Sequence, residues 1–297
     1  MSVHAFAYQA PTTLQDAVRI LAAGGPAAQP MAGGTDLIVQ MRHGRRSVDM
    51  VVDIKRVPDV TELTYTPDGG LVLGAAVPCA DVAAHPAIRA HYAALADGAG
   101  LIGGVAIRQR ATVGGNLCNA SPSGDAIPPL IVLGAECRIV GPHGEHCVPV
   151  AVFCVGPGRT ILAPGELLVS LLLPPPAPHT GSCYLRFTPR AEMDIAVAGA
   201  GAWVELDAAQ ERITDARLAL SAVGPTPVVA ERAARAVIGQ RADEDACAQA
   251  GALASEAVRP ISDVRGTEAQ RRHLAQVLVR RALWGAIRRA RGEAIDD

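Results

Sequence analysis

Aromatic side chains are scarce: two tryptophans, four tyrosines and three phenylalanines, 3% of 297 residues. The core therefore has to be built from Ala, Val, Leu and Ile, and a planar ligand would be packed by aliphatic groups and backbone. Charge is sparse as well, 19% against about 25% in an average soluble chain. It is also balanced, 27 basic against 29 acidic residues for a net −2. That balance excludes a nucleic-acid binder relying on a broad basic field. No apolar run approaches the ~18 residues a membrane helix needs, so no membrane span is expected. Met1 to Phe6 lacks the basic region and apolar stretch of a secretory signal. Seven cysteines, an odd number, read as reduced thiols of a cytoplasmic protein rather than a disulfide framework.

Several motifs are missing. There is no C-x-x-C, no H-E-x-x-H, no G-K-[ST], and no G-x-G-x-x-G opening a helix, which argues against a compact iron–sulfur or zinc site, a P-loop and a Rossmann fingerprint. Cys118, Cys137, Cys147 and Cys154 are spaced by 19, 10 and 7 residues, matching no ferredoxin pattern, and are read as structural thiols. His43, His85, His91 and His273 show no metal-ligand spacing and are read as exposed polar residues. A Ser-His-Asp set is a matter of geometry and is not legible here.

What is present is apolar material, 49% hydrophobic, enough for a large core and against disorder. The length suggests about two domains, and the pattern resolves into three blocks: 1–56, 57–176 and 177–297. In the first, Thr13 precedes Leu14, Ala17, Val18 and Leu21 at helical spacing, and Gly24-Gly25 stops the helix. A strand near 27–32 and another at Met50–Ile54 follow. The second block has a hairpin around Asp68-Gly69-Gly70, a helical pattern from Asp81 to Ala99, a glycine-rich stretch from Gly100 to Gly115, and a hairpin turning at Gly141–Gly144. Pro174-Pro175-Pro176-Ala177-Pro178 ends it as a stiff linker. The third block offers strands at Tyr184–Phe187, Ile195–Leu206 and Ile213–Val223, then two helices. The last begins at Thr267, with Gln270 completing a capping box.

Two segments carry the chemistry. In Met31-Ala32-Gly33-Gly34-Thr35-Asp36, paired glycines let successive backbone N–H groups converge on an anion, with a hydroxyl and a carboxylate alongside. Taken alone, Gly-Gly is also a common turn. From Arg108 to Asp125, small polar residues and glycines crowd between apolar stretches. They suit close approach of backbone to a ligand, with Thr112, Asn116, Ser121 and Asp125 as partners; an irregular surface loop is the alternative.

Together the two segments resemble the FAD-binding (medium) subunit of the molybdenum hydroxylase family, which includes xanthine dehydrogenase, aerobic carbon monoxide dehydrogenase and 4-hydroxybenzoyl-CoA reductase. The likeness spans nearly the whole chain: the opening Phe6 to Leu14, the two glycine motifs Ala32 to Leu37 and Ala111 to Asn116, then Gly156 to Thr160, Pro164 to Leu168 and Met193 to Ala196. It implies an α+β fold. Two N-terminal lobes of the vanillyl-alcohol-oxidase (PCMH) type would hold FAD between them, followed by a C-terminal sheet-and-helix domain.

By matching positions, Met31, Ala32, Gly33, Gly34, Thr35 and Asp36 would cradle the diphosphate and adjoining groups. Thr112, Gly114, Gly115, Asn116 and Ser121 would bind from the other lobe, and Asp125 would hold an adenosine-side hydroxyl or nearby backbone. Ile102 would lie against the flavin, and Leu168 would cover the nucleotide. Arg186 falls where several relatives carry lysine; a cation at the N1/C2 end would stabilise reduced flavin. Arginine resists neutralisation, so a proton-transfer role does not carry over. The cysteine-rich insert of some relatives is absent, since only nine steps separate Asn116 from Asp125.

The resemblance further implies non-covalent FAD in an electron-transfer subunit. Molybdopterin would sit on a large partner chain and [2Fe-2S] clusters on a small one, in a dimer of heterotrimers. A self-sufficient flavin oxidase of the same fold is the alternative enzyme, but no histidine lies between Ala32 and Asp36 for covalent attachment. A flavin-free scaffold is the non-enzymatic alternative, and the intact glycine motifs speak against it. Substrate and electron acceptor are not legible.

Overall fold

In a computed structural model that describes residues 4–294, three main sheets and a two-stranded ribbon, Cys154–Gly156 with Arg159–Thr160, are formed. The first is parallel and three-stranded, with Met50–Asp53 flanked by Ala7–Gln9 and Ala28–Met31. Helix Leu14–Gly24 covers it. Thr13 caps this helix by accepting from the Asp16 N–H, and Gly25 ends it at φ 60°. Leu14, Ala17, Val18 and Leu21 are its buried stripe, at the spacing read from the sequence.

The second sheet is antiparallel, in the order Leu63–Thr66, Gly70–Gly74, Leu167–Leu173, Glu136–Gly141, Gly144–Pro149. Its central strand, Leu167–Leu173, uses both faces. Leu167 and Val169 pack into the core beneath the first sheet, while Leu168, Leu171 and Leu173 face the second core. One strand thus forms a wall common to both lobes. The helical pattern expected from Asp81 to Ala99 is broken into Cys79–Ala84, Pro86–His91 and Ala93–Leu101. Pro86 forces the first break, because His85 before it is held extended at ψ 123°.

After the prolines, Thr180–Phe187, Ala198–Leu206, Ile213–Ser221 and Val228–Val229 form an antiparallel sheet. Strand Ala198–Leu206 alternates small residues for two different partners. Ala198, Ala200, Ala202 and Val204 enter the core under the C-terminal helices. A Cβ on Gly201 would press on the Pro128 backbone at 3.1 Å, so glycine lets the sheet lie against helix Ile127–Val132 of the second lobe. Three helices follow, not the two expected: Glu231–Val237, Glu244–Ala257 and Glu268–Ala290. The extra one is only seven residues long, too short to show a periodic signature. The last is capped by Thr267, which accepts from the Gln270 N–H at 3.1 Å.

Candidate functional site

A cleft of ≈ 360 Å³ opens between the first two lobes, within the range of small-molecule sites. Its floor begins where strand Ala28–Met31 ends. The chain turns through Gly33-Gly34-Thr35-Asp36 into helix Leu37–Arg42. Gly34 stands at φ +75°, a conformation other side chains rarely adopt. A Cβ on Gly33 would fall 1.9 Å from the Arg110 carbonyl oxygen. Gly33 is thus required first for the close approach of the two lobes, before any ligand is considered. Among the described residues, the backbone N–H groups of Gly33, Gly34, Thr35 and Asp36 have no protein acceptor. Four successive unpartnered donors on a cleft wall are costly unless water or a ligand accepts from them. Lys55 props this turn from behind: its Nζ donates to the Ala32 carbonyl at 3.0 Å and to Asp53 Oδ1 at 2.6 Å.

The opposite wall is helix Val113–Asn119. Buried Thr112 caps it, its Oγ1 accepting from the Gly115 N–H at 2.9 Å. A Cβ on Gly114 would strike Ala75 at 2.6 Å, so this glycine seats the helix on the second sheet. Gly115 meets only Thr112 Oγ1, at 2.8 Å. Asn116 Oδ1 accepts from the Ala126 N–H at 3.2 Å, which leaves its amide NH₂ as a donor. The walls are tied by Gln40, whose Nε2 donates to Asn119 Oδ1 at 2.8 Å. Partial desolvation at the cleft raises the Asp36 carboxyl above its ordinary range, although the residue as a whole stays exposed. Burial pushes the Cys118 thiol, also on the wall, up to about 12, so it presents S–H rather than thiolate.

Of the residues singled out from sequence, Met31, Ala32, Gly33, Gly34, Thr35, Asp36, Ile102, Thr112, Gly114, Gly115, Asn116 and Leu168 all line this cleft. Ser121, Asp125 and Arg186 do not. Ser121 Oγ accepts from the Ser123 N–H in its own turn, at 3.3 Å. Asp125 and Arg186 are buried together: Arg186 Nη1 donates to Asp125 Oδ2 at 2.5 Å, and Tyr184 Oη donates to Oδ1 at 2.8 Å. Burial pushes the Asp125 carboxyl up and the Arg186 guanidinium opposes that shift.

Sequence reasoning assigned no site role to Gln40, Arg46, Cys118, Asn119, Thr160 and Leu162 through Leu167, which also line the cleft. The Pro164 to Leu168 landmark was a usable signal for the last group. Arg46 had none, being one of three arginines in a basic stretch, Arg42 to Arg46. Among the described residues, no group of three His, Cys, Asp or Glu side chains is placed to hold a metal ion. No described helix is long and apolar enough to cross a membrane.

A two-lobed cleft floored by one glycine pair and walled by another suits a dinucleotide, and comparison with known proteins gives the class of flavoprotein. Residues 4–176 match the FAD binding domain in molybdopterin dehydrogenase. Residues 184–286 match the CO dehydrogenase flavoprotein C-terminal domain. The chain belongs to the family of FAD-binding subunits of molybdenum hydroxylases, a family of oxidoreductases.

Among its relatives is the xanthine dehydrogenase FAD-binding subunit of Escherichia coli O157:H7, 31% identical over 96% of this chain and 97% of the relative. The carbon monoxide dehydrogenase medium chain of Afipia carboxidovorans is 31% identical over 96% and 98%. A solved Cu,Mo-CO dehydrogenase chain superposes with a TM-score of 0.92 at 30% identity, covering 97% of this chain and 100% of that one. Quinoline 2-oxidoreductase from Pseudomonas putida 86 gives 0.89 at 30% identity, covering 98% and 99%.

Proposed function

We propose that this chain holds one FAD non-covalently in the inter-lobe cleft. It would serve there as the electron-transfer subunit of a heteromeric, cytoplasmic molybdenum hydroxylase. The observation that carries the reading is the run of unpartnered N–H groups from Gly33 to Asp36, across the cleft from a helix on which Gly115 presents no side chain. A diphosphate supplies the acceptors that such a turn lacks. Bound FAD brings the capacity to take and give up electrons; the protein supplies binding, orientation and electrostatics.

Within this reading, Thr35 and the Asn116 amide donate to ligand oxygens, and Asp36 accepts from a ribose hydroxyl. Ile102 and Leu168 give the apolar contacts that an aromatic-poor core offers a planar ring. The two lobes fix these groups from opposite sides, so binding draws on geometry already present. The [2Fe-2S] centres of a small partner chain would supply electrons drawn from a molybdopterin site on a large one. NAD⁺, oxygen, a quinone or another carrier would receive them. Assembly as a dimer of heterotrimers belongs to the same proposal. Support comes from relatives described as medium chains or as subunits of multi-chain dehydrogenases.

The test is direct. The purified chain should be yellow, absorbing near ~450 nm as flavoproteins do, and acid precipitation should release the flavin into the supernatant. A colourless chain that binds no FAD on titration overturns the reading. Flavin that stays with the precipitate indicates covalent attachment.

A further inference from the structure

Just past strand Met50–Asp53 the chain turns back on itself, the Lys55 N–H donating to Asp53 Oδ1 at 3.1 Å. The turn is stitched to the end of the neighbouring strand, where the Ile54 N–H donates to the Met31 carbonyl at 3.1 Å. The Lys55 ammonium then lies between two oxygens, Asp53 Oδ1 at 2.6 Å and the Ala32 carbonyl at 3.0 Å. Its three donors can serve both at once. Tyr8, on the third strand of the sheet, closes the set by donating its hydroxyl hydrogen to Asp53 Oδ2 at 2.7 Å. Asp53 is only 8% exposed. Burial pushes its carboxyl up, but the bonds from Lys55 and Tyr8 outweigh burial and hold it below its ordinary range. The carboxylate stays charged and pins the ammonium with a charge-assisted bond. Tyr8, Asp53 and Lys55 all stand outside the cleft lining.

The oxygen that the ammonium grips belongs to the peptide unit whose N–H is that of Gly33. The unit is planar and trans, so its C=O and N–H point in opposite directions. A carbonyl held from outside the cleft sends its N–H toward the cleft. Gly33 lines the cleft, and among the described residues its N–H has no protein acceptor. A cation on the carbonyl oxygen also draws electron density through the amide and strengthens the N–H as a donor. The Lys55–Asp53 pair adds a dipole whose positive end rests against the turn.

We propose that Lys55 is a positioning residue for the FAD diphosphate: gripping the Ala32 carbonyl from behind, it aims and polarises the Gly33 N–H for a phosphate oxygen. Asp53 and Tyr8 hold the lysine in place and do not meet the ligand. This rests on the FAD reading above and adds to it a charged side chain that acts through one peptide unit without touching the cofactor.

The test uses the flavin-free full chain, titrated with FAD and with ADP, which carries the diphosphate without the flavin. Lys55→Met should lower the affinity for both by about 10-fold or more. A second variant separates this from a loss of fold. Asp53→Asn combined with Lys55→Met removes both charges, so its thermal midpoint should return toward the wild-type value. Its FAD affinity should stay as low as that of Lys55→Met alone. Lys55→Arg keeps the charge and N–H donors and should lose less than Lys55→Met. In flavin-free Lys55→Met the carbonyl carbon resonance of Ala32 should move upfield as the cation leaves its oxygen. FAD bound as tightly by Lys55→Met as by wild type, or binding regained in the double variant, overturns the assignment and leaves the FAD reading standing. ADP affinity unchanged while FAD affinity falls overturns it too, because the effect then lies away from the diphosphate. If the wild-type chain binds no FAD, the FAD reading fails and this assignment with it.

Discussion

The chain contains two seams, built on opposite principles. Between the first two lobes, glycines bring backbone against backbone, one side-chain hydrogen bond joins Gln40 to Asn119, and four N–H groups are left without acceptors. Between those lobes and the C-terminal domain, buried donors and acceptors meet one another at several points. Arg186 and Tyr184 converge on Asp125. Arg289 grips Asp97 through both terminal nitrogens, at 2.6 and 3.0 Å, and Asp97 also accepts from the Tyr184 N–H at 3.0 Å. The Ala222 N–H reaches the Pro122 carbonyl at 2.6 Å. A seam saturated with internal partners is a joint, whereas a seam with donors to spare is a binding site.

The difference is sharpened most by Gly33→Val. The new side chain meets the Arg110 carbonyl, so both lobe packing and ligand space are lost. FAD affinity should fall more than about 100-fold, a shift a titration reads directly. Gly115→Val meets only Thr112 Oγ1. It should also lose FAD, but with a smaller fall in thermal midpoint. Equal unfolding in both variants would mean the second glycine pair serves packing alone.

Asp125→Ala probes the other seam. It strands the Arg186 guanidinium, whose side chain is 5% exposed. Removing one member of a buried pair costs about 3–5 kcal/mol, measurable by denaturant unfolding, while FAD affinity should change less than about threefold. Lost flavin with unchanged stability would place Asp125 in the cofactor site after all.

The smallest effect concerns acid. Arg271, together with the Arg265 and Gly266 N–H groups, holds the Asp263 carboxyl below its ordinary range. The unfolded state therefore binds this proton more readily, and stability rises with pH through that window. The stabilisation is complete above about pH 4 and is lost as pH falls through the folded value. Asp263→Asn should melt lower than wild type at neutral pH, and the gap should narrow below about pH 4. A gap constant with pH would mean the carboxylate's charge contributes nothing.

Much of the site was legible because backbone chemistry leaves marks in sequence. Gly33, Gly34, Gly114 and Gly115 are glycine for local reasons of φ or close approach, and Thr13 and Thr267 announce helix starts within three residues. What was not legible depended on distance in sequence. Arg186 and Asp125 lie 61 residues apart, and each is surrounded by residues that read equally well as cofactor contacts. Nothing local says that they meet each other. The short helix Glu231–Val237 and the break at Tyr92 escaped for a related reason. Their boundaries are set by packing, Tyr92 donating its hydroxyl hydrogen to the Pro174 carbonyl at 2.8 Å, rather than by a periodic pattern.

The most direct test of the central claim is backbone hydrogen exchange on the flavin-free chain, with and without added FAD. The account predicts marked slowing at Gly33 through Asp36, with little change at the Asp125–Arg186 seam. Exchange at Gly33 through Asp36 that is indifferent to saturating FAD would contradict it.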